Sequence, residues 1–209
     1  MSNLEIEKIN GYIDINKIEV PNWKVLFSGY FFFLIISIPS ALFGKMNVVT
    51  KPIMVAWTVI MGVWTLYLFF NKDKIENYVL YLGVISIFIS ISSLVATYKI
   101  VSLIYEVEYY LVLLCGIIYL ALIALNVWNT IRLIKNGYYS STNQSTKNNY
   151  GLILATSVLG LGIGRAFLGN VGNEKAIIII VSVLLFFAFI FLTGSHNILK
   201  YYYIHKYKS

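Results

Sequence analysis

The stretch YVLYLGVISIFISISSLVATY, residues 78–98, decides the fold. It carries no charged side chain and is as long as a bilayer crossing requires, since a hydrocarbon core about 30 Å thick needs around 20 apolar residues in a helix. Its Ile, Val, Phe and Tyr residues would favour strands in water. In hydrocarbon, however, an open strand leaves backbone amides unpaired at several kcal/mol each, so the solvent overrides propensity and the run is helical. Five more apolar runs of near-spanning length occupy residues 25–43, 53–70, 109–128, 151–167 and 176–193. The expected fold is all-α: a polytopic integral membrane protein built as a bundle of six transmembrane helices.

Composition agrees with this reading. Apolar residues make up 59% of the 209 and charged ones 12%, against roughly 25% charged in soluble domains, and the mean hydropathy is +0.77. Six spans with short connections leave no room for a second domain. Residues 1–22 form a cytoplasmic N-terminal segment, 23–198 the transmembrane domain and 199–209 a basic cytoplasmic tail. Short outer turns are expected at 44–52, 99–108 and 168–175, and a Ser-, Thr- and Asn-rich loop at 136–149.

Orientation follows from the cations. Lys45, Lys51, Lys99, Arg165 and Lys175 fall on one side of this map, and the rest of the 16 Lys and Arg fall on the other, with both termini. The positive-inside bias therefore puts both termini in the cytoplasm of a cell membrane. Tyr and Trp gather at the run ends, for example Trp23, Tyr78, Tyr98, Tyr109 and Trp128, as rings at headgroup level do. The net charge of +7 flanks apolar runs, so its partner is membrane lipid and no nucleic acid is expected. Residues 1–20 carry Glu5, Glu7, Asp14 and Glu19 and do not have the form of a cleavable signal peptide. Within them Leu4, Ile6, Ile13 and Ile15 alternate with polar residues around Asn10-Gly11, which predicts a short β-hairpin with a type I′ turn.

Polar residues inside the spans are the candidate sites. Gly83, Ser86, Ser90, Ser93 and Thr97 recur at spacings of three and four, which sets one small, polar stripe along a helix face. Such a stripe serves close helix packing or binding of a partner in the bilayer or, alternatively, a water-lined solute path. Thr58, Gly62 and Thr65 are its possible counterpart. In the fifth run Thr156, Gly160 and Gly164 form a small-xxx-small face that lets another backbone approach. Arg165 is the strong charge within a span, expected to pair at the outer face with Glu174, Glu106 or Glu108 or to meet a partner. Asn126 and Asn129 are expected to bind helices together, and Cys115 to be a small buried packing residue.

Catalytic chemistry finds no foothold. His196 and His205 are the only histidines, Asp14 and Asp73 the only aspartates, and no P-loop or carboxylate cluster is present. Ser195 and His196 are adjacent on a helix and point about 100° apart, which defeats a nucleophile–base pair. A non-enzyme without metal or cofactor is expected.

The string Ile9-Asn10-Gly11-Tyr12-Ile13-Asp14-Ile15, then Pro21-Asn22-Trp23 and an aromatic first span ending at Ile38-Pro39, resembles the start of a staphylococcal family of polytopic immunity proteins. The resemblance implies a short strand pair before the first span and a role in neutralising a membrane-depolarising toxin exported by type VII secretion. It carries no functional residue across. The expected function is self-protection by binding a membrane-inserted protein toxin in the bilayer, with a small permease subunit of a transporter as the alternative.

Overall fold

The computed structural model describes residues 3–13, 23–42, 47–71, 75–102, 109–139 and 173–208, and among them every regular element is a helix. In chain order these are α1 (Asn3–Ile13), α2 (Trp23–Leu42), α3 (Asn47–Phe70), α4 (Ile75–Val101), α5 (Tyr109–Lys135), α6 (Asn173–Thr193) and α7 (His196–Lys208). Among the described residues four stretches are long and apolar enough to cross a membrane: Val48–Phe70, Ile75–Val101, Val112–Lys135 and Ile177–Tyr207. A shorter apolar stretch, Leu26–Leu42, lies in α2. The run at 151–167 lies outside the described residues.

The quoted stretch becomes α4, the centre of the bundle. Tyr78, Tyr81, Ile85 and Ile89 recur every three or four residues and pack with Leu26, Phe33 and Ile36 of α2 and Met61 and Leu68 of α3. One residue along, and so about 100° around the helix, the Gly83, Ser86 and Ser90 row meets α6 and α7. Both rows of α4 are therefore covered by protein. Aromatic rings tie the layers together: Trp57 of α3 stacks on Phe88 of α4 at 4.4 Å, and Phe32 of α2 meets Phe191 of α6 at 5.3 Å.

Five expectations need correction. Residues 3–13 form a helix, so the N-terminal β-hairpin, and with it the strand pair of the immunity-protein resemblance, is absent there. Ile9, Tyr12 and Ile13 are spaced i, i+3, i+4 and bury together against Val79, Ile134 and Ile204. A lone hairpin is marginal, whereas this helix gains an apolar surface, at roughly 1.5–3 kcal/mol per large side chain buried. The outer turn at 44–52 is shorter than expected, because α3 starts at Asn47 and contains Pro52, which removes only one amide donor. Pro39, expected with Ile38 to end the first span, lies inside α2, which runs on to Leu42; residues 199–208 lie in α7, which packs on α4 and buries Ile204 completely. Cys115 is exposed, since the apolar stretch of α5 around it is not enclosed by the bundle and an apolar face meets no penalty in lipid.

Candidate interhelical site and the break between α6 and α7

Lipid tails are as apolar as Leu, so helices in a bilayer associate through close packing and hydrogen bonds rather than through hydrophobic burial. The α4 stripe supplies both. Ser90 donates to the carbonyl of Ala188 on α6 at 2.6 Å and is fully buried. A Cβ on Gly83 would lie 2.7 Å from Ile198 Cγ1 and 2.9 Å from its backbone nitrogen, so only glycine lets α7 come this close. Gly194 sits in the same way against the Ser86 side chain. The remaining hydroxyls satisfy themselves on their own helix: Ser86 on Leu82, Ser93 on Ile89 and Thr97 on Ser93, at 2.7–2.9 Å.

The α3 counterpart faces elsewhere. Thr65 is hydrogen-bonded to Tyr81 across α3 and α4 at 2.8 Å, and Ser92 donates to Met54 Sδ at 3.6 Å. Tyr30 of α2 donates to the Thr58 carbonyl at 3.0 Å, and its ring lies over Gly62, where a Cβ would stand 2.7 Å from the hydroxyl. Thr58 and Gly62 thus seat α2, and Thr65 seats α4.

The apolar α6 and the more polar α7 follow one another across a break at Gly194-Ser195. There the amides turn to i→i−3 acceptors: Gly194 to Phe191, Ser195 to Leu192, Asn197 to Gly194 and Ile198 to Ser195. Tight bonding of this kind marks a kink and leaves carbonyls needing donors. Asn126 of α5 provides them, with its amide 2.9 Å from Ser195 Oγ and 3.4 Å from the carbonyls of Leu192 and Thr193. Tyr12 of α1 adds a bond to the His196 carbonyl at 3.0 Å. Asn126 therefore does bind helices together, at a break that the sequence pattern did not show.

Tyr12 lies in an aromatic nest with Tyr139 and Tyr203, ring centroids 5.0 and 6.2 Å away. Burial pushes its phenol well above the ordinary value of 10.0, and the two neighbouring phenols push the same way. Burial raises Tyr139 as well, helped by Tyr138. Beside the nest Lys8 donates to the carbonyl of Lys135 at the end of α5, at 2.8 Å. Nothing in the alternation read over residues 4–15 pointed to these contacts; the Ile9, Tyr12, Ile13 spacing is the signal that could have.

Thr156, Gly160, Gly164 and Arg165 lie outside the described residues, as do Glu106 and Glu108. Among the described residues no group of three His, Cys, Asp or Glu side chains is placed to hold a metal ion.

These features define an all-helical protein whose α4 is gripped on two sides, with four stretches able to cross a membrane. No family model matches the chain, and neither a curated protein nor a solved structure does.

Proposed function

We propose that this chain is a non-enzymatic multi-pass protein of the cell membrane that protects its host by binding a membrane-active toxin within the bilayer. The observation that carries this reading against the permease alternative is the filled stripe. Gly83, Ser86 and Ser90 are covered by Ile198, Gly194 and Ala188, and the hydroxyls along it already have acceptors. A solute path needs that row open; the same filling leaves the α4 stripe to helix packing and takes it away as a contact surface for a toxin. The Pro21-Asn22-Trp23 element of the immunity-protein resemblance adds support from sequence, whereas the span end at Ile38-Pro39 does not, since α2 runs through Pro39 to Leu42. The surface left for a membrane-inserted partner is apolar: α5 exposes Leu113, Ile117, Leu120 and Trp128, and the Gly160 and Gly164 face of the fifth run is the close-approach surface of this proposal.

Six spans with both termini cytoplasmic complete the proposal. α1, the end of α5 and α7 meet at one end of the bundle, through Lys8 and Lys135 and through Tyr12 and His196. Chain ends that share one end of a bundle go with an even number of crossings.

The test is protection in a heterologous host. Cells making this chain alone should keep their membrane potential when the pore-former encoded beside it is co-expressed, and bulky substitutions at Gly160 and Gly164 should abolish protection without lowering expression. Equal depolarisation with and without well-expressed wild-type protein rejects the proposal.

A further inference from the structure

Between α1, α5 and α7 lies a half-open cavity of about 390 Å³ lined by Lys8, Lys135, Tyr203 and Tyr207 on one hand and by the aliphatic Ile9, Ile131 and Ile134, its floor, on the other. We propose that this cavity holds the phosphate headgroup of an anionic phospholipid, with the aliphatic floor taking the first carbons of the lipid. The inference rests on the chain being embedded in a membrane, and not on the toxin-binding reading.

Charge, position and shape all favour this occupant. Two ammonium groups line the cavity and, among the described residues, no carboxylate does. The negative end of the α5 dipole would repel an anion, but Lys8 is bonded to the Lys135 carbonyl there and offsets it, with two further N–H donors on the same nitrogen. The apolar stretch of α5 ends at Lys135, in the cavity wall, and Tyr203 and Tyr207 of the opposite wall lie on α7, a polar helix with Lys200 and Lys206 that follows the apolar α6. That places the cavity at headgroup depth, where Lys and Tyr side chains meet lipid phosphate. A free phosphate would leave the isoleucine floor unused, whereas a lipid covers both parts. The volume falls in the ordinary range for small-molecule sites, about 300–1,000 Å³.

The experiment uses the full chain purified in a neutral detergent. Its thermal unfolding is followed while short-chain phosphatidylglycerol, short-chain phosphatidylcholine or glycerol phosphate is titrated. Phosphatidylglycerol should raise the melting temperature in a saturable way, and phosphatidylcholine and glycerol phosphate should not. Lys135→Gln leaves the backbone carbonyl that Lys8 uses, so the fold is kept; it should weaken the phosphatidylglycerol response several-fold, and the double variant with Lys8→Gln roughly tenfold or more. Lys51→Gln, which removes the same charge near the start of α3, should leave it unchanged. Equal responses to the two lipids, or an unaltered response in a folded Lys135→Gln protein, overturn the site. A glycerol phosphate response as strong as that to phosphatidylglycerol overturns the lipid assignment.

Discussion

Ser90 of α4 reaches across to the backbone of Ala188 on α6 with a 2.6 Å hydrogen bond, and no part of its side chain is exposed. The bond fixes the register of α4 against α6, and neighbouring contacts at Gly83 and Gly194 repeat the close approach at and beyond the Gly194-Ser195 break.

Ser90→Leu should therefore destabilise the bundle by overpacking, by about 1–3 kcal/mol, while Ser90→Ala should cost roughly 0.6 kcal/mol, the usual worth of an interhelical hydrogen bond in a membrane protein. Melting in detergent of the two variants beside the wild type measures both. A Leu variant that melts with the wild type would mean that the row is roomy, and the filled-stripe argument would fail with it.

Glycine positions separate close contact from mere composition. Gly83→Ala brings a methyl group against the backbone of Ile198, which cannot move aside as a side-chain tip can, so it should lower the melting temperature clearly. At Gly29 and Gly116 a Cβ would meet nothing within 4 Å, and their Ala variants should be neutral or slightly stabilising, since Ala is favoured over Gly in helices by about 1 kcal/mol. Equal melting of all three variants would show that α4 and α7 do not touch as described.

The contrast between these helices and α1 shows what was legible. Residues 78–98 could be read from sequence because hydrocarbon allows one backbone solution, whatever the side chains prefer. The spacing of Gly83, Ser86 and Ser90 marks a face, but periodicity cannot say which helix lies on it. Residues 4–15 offered two periods at once: alternation through Leu4, Ile6, Ile13 and Ile15, and a helical face through Ile9, Tyr12 and Ile13. The choice was made by Val79, Ile134 and Ile204, which reach α1 only through the tertiary fold. The break at Gly194-Ser195 was hidden for the same reason, because the donors that stabilise it come from Asn126 of α5 and Tyr12 of α1.

Docking of α1 should depend on alkaline pH. The Tyr12 phenol is raised above its ordinary 10.0 by burial, so the folded state binds its proton more tightly than the undocked state. That contribution is fully present below pH 10, declines as pH rises beyond 10 and is lost above the folded-state value. Protease access to residues 14–20, which follow α1, should increase over that window. Tyr12→Phe should remove part of the dependence while losing the bond to the His196 carbonyl, at about 0.5–1.5 kcal/mol. Identical alkaline profiles for the wild type and Tyr12→Phe would assign the effect to other groups.

The sharpest test of the membrane map is parity. α1 and α7 meet through Tyr12, and the end of α5 joins them through Lys8, so the N-terminus, the chain beyond Lys135 and the C-terminus should all be on one face of the membrane. Starting from that face, α2 leads out, α3 back, α4 out and α5 back, in keeping with Phe27 lying near Phe69 and Trp57 near Phe88. α6 returns to the same end, where Ser195 meets Asn126, so the proposed six-span map puts one more crossing between α5 and α6. On that proposal the larger share of Lys and Arg on this face puts it in the cytoplasm. Reporter tags before Ser2, within residues 142–147 and after Ser209 should therefore report the cytoplasm, and tags at residues 45–46 and 172 should report the outside. A tag at 172 on the cytoplasmic side, with the other four as expected, would remove the sixth span and require α6 to enter the membrane from the face on which it ends.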